Sequence, residues 1–250
     1  MTLTAESVSI SFGGLRALDE VTLTVPERTI VGLIGPNGAG KTTLFNCLTG
    51  LYAPSSGRVL LDGRPLAADP AQAARSGVAR TFQNIRLFSG MSALDNVLVG
   101  RHTRIRQGLV DALLRSPRFR RSEGQAVERA RAELTFVGLD PEGDRPARNL
   151  SYGDQRRLEI ARALAGDPAV LMLDEPTAGM NAQETAAVRT LIGAIRDRGI
   201  AVLVIEHDTK FIFSLCDHVY VLVRGRMLTA GPPPAVRADP RVIEAYLGAA

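Results

Sequence analysis

Short apolar runs recur along this 250-residue chain, and their spacing predicts an α/β fold. Leu3–Ser11 and Val21–Val25 alternate apolar with polar positions, the period of a half-buried strand, and so predict an antiparallel layer. Ile30–Ile34, Ala169–Leu173 and Ile200–Ile205 are continuous apolar runs, the pattern of strands buried on both faces. Arg58–Leu61 and Val78–Phe82 add two more strands, and His218–Val223 with Met227–Ala230 forms a hairpin around Arg224-Gly225. A short helix is expected at Ala71–Ala74. From Phe88 to Gly166 the apolar runs stop and Ala, Leu, Arg and Glu dominate. Helices are expected there at Ala93–Val99, behind Ser92 as N-cap, and at Glu123–Val137. Another opens at Leu150, with Leu158, Ala161 and Ala165 at helical spacing. Ala182–Arg196 and a pair of short helices within Val236–Leu247 complete the set. The expected organisation is one domain over 1–250, its core built from 1–87 and 167–250, with a helical subdomain inserted at 88–166.

Composition narrows the setting. Hydrophobic residues at 45% and charged residues at 22% are ordinary for a globular chain, and a net charge of +4 does not by itself indicate nucleic acid. Cys47 and Cys216 form neither a disulfide framework nor a C-x-x-C pair, which suits a reducing compartment. No basic stretch followed by an apolar one opens the chain, and no apolar run reaches membrane-spanning length, so a cytoplasmic chain is expected unless a partner holds it at a membrane. A basic segment carries Arg101, Arg104, Arg106, Arg115, Arg118, Arg120 and Arg121. It reads either as solvated surface or as a contact for another subunit or an acidic membrane surface, with only Phe119 interleaved for base stacking.

Chemistry concentrates where strands end. Gly35-Pro36-Asn37-Gly38-Ala39-Gly40-Lys41-Thr42 fits G-x-x-x-x-G-K-[ST], between an expected strand and an expected helix. Its glycines let backbone N–H groups approach an anion, Lys41 would reach the β- and γ-phosphates, and the Thr42 hydroxyl, followed by Thr43, would ligate Mg²⁺. Asp174 and Glu175 stand at the carboxyl end of a strand, where open α/β sheets bind ligands. Asp174 would hold Mg²⁺ and Glu175 would accept a proton from the attacking water, while the alternative is a strand followed by an Asp N-cap. Gln83 is either polar surface or a group that completes the Mg²⁺ shell or orients water. Phe12 either stacks on adenine or is a core Phe at a strand end. His207, at a third strand terminus, is either structural or a γ-phosphate contact, and Glu206-His207-Asp208 makes a poor metal site because adjacent strand residues point to opposite faces. Ser151 with Asp154 forms a capping box, and the same helix start, with the Ser151 hydroxyl and the Gly153 N–H, is a second place to hold phosphate.

In this order, the phosphate loop, Gln83, Leu150–Gln155, Asp174-Glu175 and His207 resemble the ATPase subunits of ABC transporters over nearly the whole chain. The helix start resembles the Leu-Ser-Gly-Gly-Gln signature, with Tyr152 third, Asp154 fifth and Gln155 one place late. Where many relatives read Ser-Ala-Leu-Asp, this chain reads Ala178-Gly179-Met180-Asn181. Arg80–Phe88, Arg156–Ala161, Ala178–Asn181, Ile205–Asp208 and Val242–Gly248, with the basic insertion near Arg101–Arg121, are similar to the branched-chain amino acid importers, and within them to the longer of two ATPase subunits. The resemblance implies a RecA-like P-loop NTPase core with an antiparallel β layer and an inserted α-helical subdomain. It further implies ATP and Mg²⁺ as ligands, with ATP sandwiched between Lys41 and its loop on one subunit and Ser151 and Gly153 of another. A second ATPase subunit (heterodimer, with a homodimer as alternative), transmembrane permease subunits and an extracytoplasmic substrate-binding protein are the implied partners, at the cytoplasmic side of the inner membrane. Other cargoes, such as urea, short amides or lipopolysaccharide, and a soluble ABC ATPase acting on ribosomes or DNA repair, are the alternatives.

Overall fold

The computed structural model describes residues 1–102 and 117–247, with side chains excepted at 117–120 and 247. Its contacts divide the chain into two units, Met1–Gln83 with Ala169–Ala250, and Asn84–Pro168. The first unit begins β1 (Leu3–Phe12), β2 (Leu15–Val25), β3 (Ile30–Ile34), α1 (Lys41–Leu48), β4 (Ser56–Leu61), β5 (Arg64–Pro65), α2 (Pro70–Ser76) and β6 (Val78–Arg80). The second supplies α3 (Ala93–Arg101), α4 (Pro117–Phe136) and α5 (Tyr152–Leu164). The chain then returns to the first through β7 (Val170–Asp174), α6 (Ala182–Asp197), β8 (Ala201–Ile205), α7 (Thr209–Leu215), β9 (His218–Val223), β10 (Arg226–Gly231), α8 (Pro233–Ala238) and α9 (Pro240–Leu247).

The continuous apolar runs form the centre of a six-stranded sheet of order β10-β9-β3-β8-β7-β6, parallel except for β10. Every residue of β3, β7 and β8 is buried, each large aliphatic side chain contributing about 1.5–3 kcal/mol. The alternating runs form a second, antiparallel sheet of order β2-β1-β4-β5. β2 starts at Leu15, well before the expected Val21, because the β1–β2 pairing is irregular. Its register shifts three times, and Ser7 and Glu20 adopt left-handed backbone conformations, so the period-2 signal is lost there. α7 was not expected from periodicity. Its signal is Asp208, whose carboxylate caps the helix by accepting the Lys210 and Phe211 N–H groups.

In the second unit Ser92 caps α3 as expected, accepting the Asp95 N–H. Gly100 sits so close to α5 that a Cβ there would lie 2.0 Å from the Arg162 carbonyl oxygen. Of the basic segment, Arg104, Arg106 and Arg115 and the side chains of Arg118 and Arg120 lie outside the described residues. Arg101 is committed within the unit: it donates to the Ala165 carbonyl and to Asp167, which also pairs with Arg129. Burial alone would raise the Asp167 carboxyl, but the bonds from these two arginines outweigh it and hold the group below the usual range. Among the described residues, no helix is long and apolar enough to cross a membrane.

Candidate nucleotide site

Gly35–Gly40 is the turn between β3 and α1, and packing dictates its glycines. A Cβ at Gly35 would lie 2.0 Å from the Leu222 carbonyl oxygen, and one at Gly40 (φ 102°) 2.8 Å from that of Ala17. Gly40 is also the N-cap of α1, so no side chain bonds the first-turn N–H groups, whereas α2 and α7 are capped by Asp69 and Asp208. Backbone donors and the positive end of the helix are thus left for an anion. Gly225, in the β9–β10 turn, braces the loop from behind. Its N–H donates to Ala39 O (2.9 Å), its carbonyl accepts the Asp19 N–H (2.8 Å), and a Cβ on it would meet Ala17 O at 2.6 Å. The buried Lys41 ammonium donates to the carbonyls of Gly35 (2.6 Å) and Pro36 (3.0 Å). Burial lowers its pKa from the usual lysine value, with Glu175 and Asp174 pulling the other way.

The loop lines a cavity of about 760 Å³, shared with Phe12, Gln83, Glu175, His207 and Arg224, within the size range of small-molecule sites. Phe12 is exposed at the end of β1 and meets Tyr52 edge-on, with ring centroids 5.3 Å apart. Glu175 follows β7 with φ 48°, a left-handed conformation rare outside glycine and often found at functional positions. Its backbone N–H bonds Ile205 O (2.9 Å), and its carboxylate is held on both sides: Oε2 accepts from Gln83 Nε2 (3.0 Å) and Oε1 lies 2.6 Å from His207 Nε2. Three residues far apart in sequence thus meet at one carboxylate. Gln83 lies beyond the strand rather than at its end, since β6 stops at Arg80. Asp174, buried at the end of β7, is 3.5 Å from Arg80 Nη2, and its N–H bonds Thr81 Oγ1. The alternative of Asp174 as a helix N-cap does not hold, because β7 continues through it and α6 is capped by Asn181.

Family comparison accounts for this arrangement. The family described as ABC transporter matches residues 18–178, spanning the phosphate loop and the Asp174-Glu175 strand end. The chain belongs to the ABC transporter ATPase family. A second family, described as Branched-chain amino acid ATP-binding cassette transporter, matches residues 226–250 of this ABC ATPase. The high-affinity branched-chain amino acid transport ATP-binding protein LivG of Salmonella typhimurium is 48% identical, over 99% of this chain and 98% of its own. BraF of Pseudomonas aeruginosa, described in the same words, is 47% identical with the same coverage. Among solved structures, the ADP conformation of MJ1267, an ATP-binding cassette of an ABC transporter, matches with TM-score 0.86 and 32% identity over 99% of both chains. A nucleotide-free ATP-binding cassette from an ABC transporter matches with TM-score 0.85 and 31% identity, over 98% of this chain and 99% of that one.

The departures of this ABC ATPase from the common family motifs have local physical causes. Ser151 caps α5 by accepting the Asp154 N–H, but the return half of the expected capping box is replaced: the Asp154 carboxylate pairs with Arg157, which also donates to the Val137 and Gly138 carbonyls. Gln155 bonds the Leu150 carbonyl. Gly153 lies in the first turn of α5, and Tyr152 is exposed, its hydroxyl accepting from Arg156 Nη2 (3.2 Å). Arg156 is fully buried and pairs with buried Glu159 (3.1 Å), whose other oxygen accepts the Arg86 N–H (3.4 Å). Asn181 forms a complete capping box with Glu184, a signal legible as Asn-x-x-Glu.

Three residues at the cavity or its supports have contacts that the sequence does not assign to them. Arg80 donates to Asn46 Oδ1 (2.8 Å) and packs its guanidinium on the Phe45 and Phe82 rings. The hint was an arginine at the end of an apolar strand. Arg224 lines the cavity from the β9–β10 turn in a left-handed conformation. Glu206 is a buried carboxylate directly after β8.

Proposed function

We propose that this chain is the ATP-hydrolysing subunit of an importer for branched-chain amino acids. The observation that carries the reading is the Glu175 carboxylate, fixed between Gln83 and His207 on the wall of a cavity built on an uncapped helix start. Its cargo rests on the likeness to LivG and BraF over nearly the full chain.

ATP would bind with its phosphates against the Gly38–Thr43 backbone, Lys41 exchanging its two carbonyl partners for β- and γ-phosphate oxygens. The loop fits such an anion because Gly40 leaves the helix donors uncapped. Phe12 would stack on the adenine. Thr42, Asp174 and Gln83 offer oxygen donors of the hard kind that suits Mg²⁺, which when bound would neutralise charge on the β- and γ-phosphates. Glu175 would act as general base toward the attacking water, with His207 steadying the γ-phosphate and Gln83 orienting the carboxylate. Phosphoryl transfer depends mainly on positioning and electrostatics, so a single misplaced group slows turnover while sparing binding.

Ser151 and Gly153, at the positive end of α5, would face nucleotide held by a second ATPase subunit, giving two composite sites in a heterodimer. Permease subunits would hold the pair at the cytoplasmic face of the inner membrane, fed by an extracytoplasmic binding protein, and nucleic acid has no part in the cycle.

Glu175→Gln is expected to bind ATP with near-normal affinity and to lose at least about a hundredfold in kcat; near-normal turnover would remove the base assignment. Uptake of leucine against urea by the chain reconstituted with its membrane partners tests the cargo, and urea uptake without leucine uptake would overturn it.

A further inference from the structure

Between the two loops that carry Glu175 and His207 lies a buried carboxylate with no part in the account so far. Glu206 is 4% exposed. Its Oε1 accepts both the Thr177 backbone N–H (2.8 Å) and the Thr177 hydroxyl (2.5 Å), and its Oε2 accepts the His207 backbone N–H (3.1 Å). All three donors are neutral groups. Taking a carboxylate out of water costs several kcal/mol, and neutral hydrogen bonds offset that only in part. An apolar residue would continue the buried run of β8 at lower cost. The carboxylate therefore destabilises the strand end relative to its simplest replacement, and its contacts indicate what it supplies in return.

Those contacts are specific to the reacting cluster. Thr177 is two residues beyond Glu175, and His207 is the next residue after Glu206. Together with the Glu175 N–H to Ile205 O bond (2.9 Å), they join segment 175–177 to segment 205–207 at two points in addition to the 2.6 Å Glu175–His207 contact. We infer that Glu206 is a positioning residue for ATP hydrolysis: it clamps the loop after β7 to the loop after β8 and so sets His207 against Glu175. Its two oxygens face opposite loops, and both must accept. Glutamine has the same shape, but if its carbonyl oxygen serves Thr177, its NH₂ is set against the His207 N–H, donor against donor. The inference rests on the proposed roles of Glu175 and His207.

The test uses the full chain assembled with its second ATPase subunit, and radiolabelled ATP with Mg²⁺ in single turnover, so that slow variants remain measurable, alongside equilibrium ATP binding. Glu206→Gln is expected to lower the hydrolysis rate between about tenfold and a hundredfold, with ATP affinity within about twofold of the parent. Thr177→Val, which removes one donor and leaves the carboxylate in place, should lower the rate by a smaller factor and covers the case in which Glu206→Gln fails to fold. In a His207→Ala background, either change should cost less than about twofold, because the residue it positions is gone. Parental rates in both variants, an undiminished loss in the His207→Ala background, or a tenfold loss of ATP affinity would each overturn the inference. A loss of hydrolysis in Glu175→Gln with a parental rate in Glu206→Gln would sink this inference alone, whereas normal turnover in Glu175→Gln would sink the reading beneath it.

Discussion

Replacing Arg156 by methionine removes one half of an ion pair whose side chains are 0% and 1% exposed. Glu159 would then keep a buried charge without the Arg156 guanidinium beside it, with the Arg86 amide at a long 3.4 Å and the field of Arg162 still acting on it. Breaking a buried pair from one side costs about 3–5 kcal/mol, because the buried charge loses a close counter-ion and gains no water in exchange. The cost should appear in α5 and the segment it holds, so the assay is native-state hydrogen exchange of the Tyr152–Leu164 amides in dilute urea. Protection there should fall about a hundredfold to several thousandfold. Replacing Glu159 by leucine as well removes the remaining charge of the pair. With both charges gone, the Arg156→Met, Glu159→Leu double variant should return to within about 1 kcal/mol of the parent. A single variant costing less than about 1 kcal/mol, or a double variant less stable than the single, would refute the reasoning.

Acid should weaken the Asn84–Pro168 unit through Asp167. Its folded carboxyl titrates below the unfolded value, so its contribution is present above about pH 4 and lost as pH falls through the lower folded value; Asp167→Asn should flatten that part of an acid-unfolding curve. ATP affinity should decline with rising pH before the ordinary lysine range is reached, since burial lowers the Lys41 pKa in the free chain and loss of its proton removes the phosphate contact; isothermal titration across pH 7–10 checks this, and an affinity flat over that range would contradict it. Gly100→Ala should destabilise the chain in thermal melts even though alanine is the better helix former by about 1 kcal/mol, because the added methyl would meet the Arg162 carbonyl.

The features legible in the sequence were those written in local periodicity. β3, β7 and β8 stood out as unbroken apolar runs because both of their faces are buried, and the phosphate turn because its glycines are fixed by backbone neighbours at 2.0 and 2.8 Å. Ends of such strands are natural places to look for chemistry, which is why Glu175 and His207 could be singled out. What stayed hidden depended on pairing between distant segments. The bulged register of β1 with β2 erased the alternation at Leu15–Glu20. In the sequence Glu206 stands out only as one of three neighbours that make a poor metal site, and its role is visible only where the fold brings Thr177 across to it. Asp154 and Asn181 read as motif departures, whereas in the fold one pairs with Arg157 and the other caps α6.

β3 appears early in the chain, but its two sheet neighbours are β8 and β9, and Gly225 braces the phosphate loop from a turn near the far end. On the ribosome, the loop emerges long before β8, β9 and Gly225 can hold it in place. A nascent chain halted before about residue 225 would carry the complete glycine motif yet lack the wall that gives it form. The walls around the loop are therefore completed only once β8, β9 and Gly225 have been made, well after the loop itself.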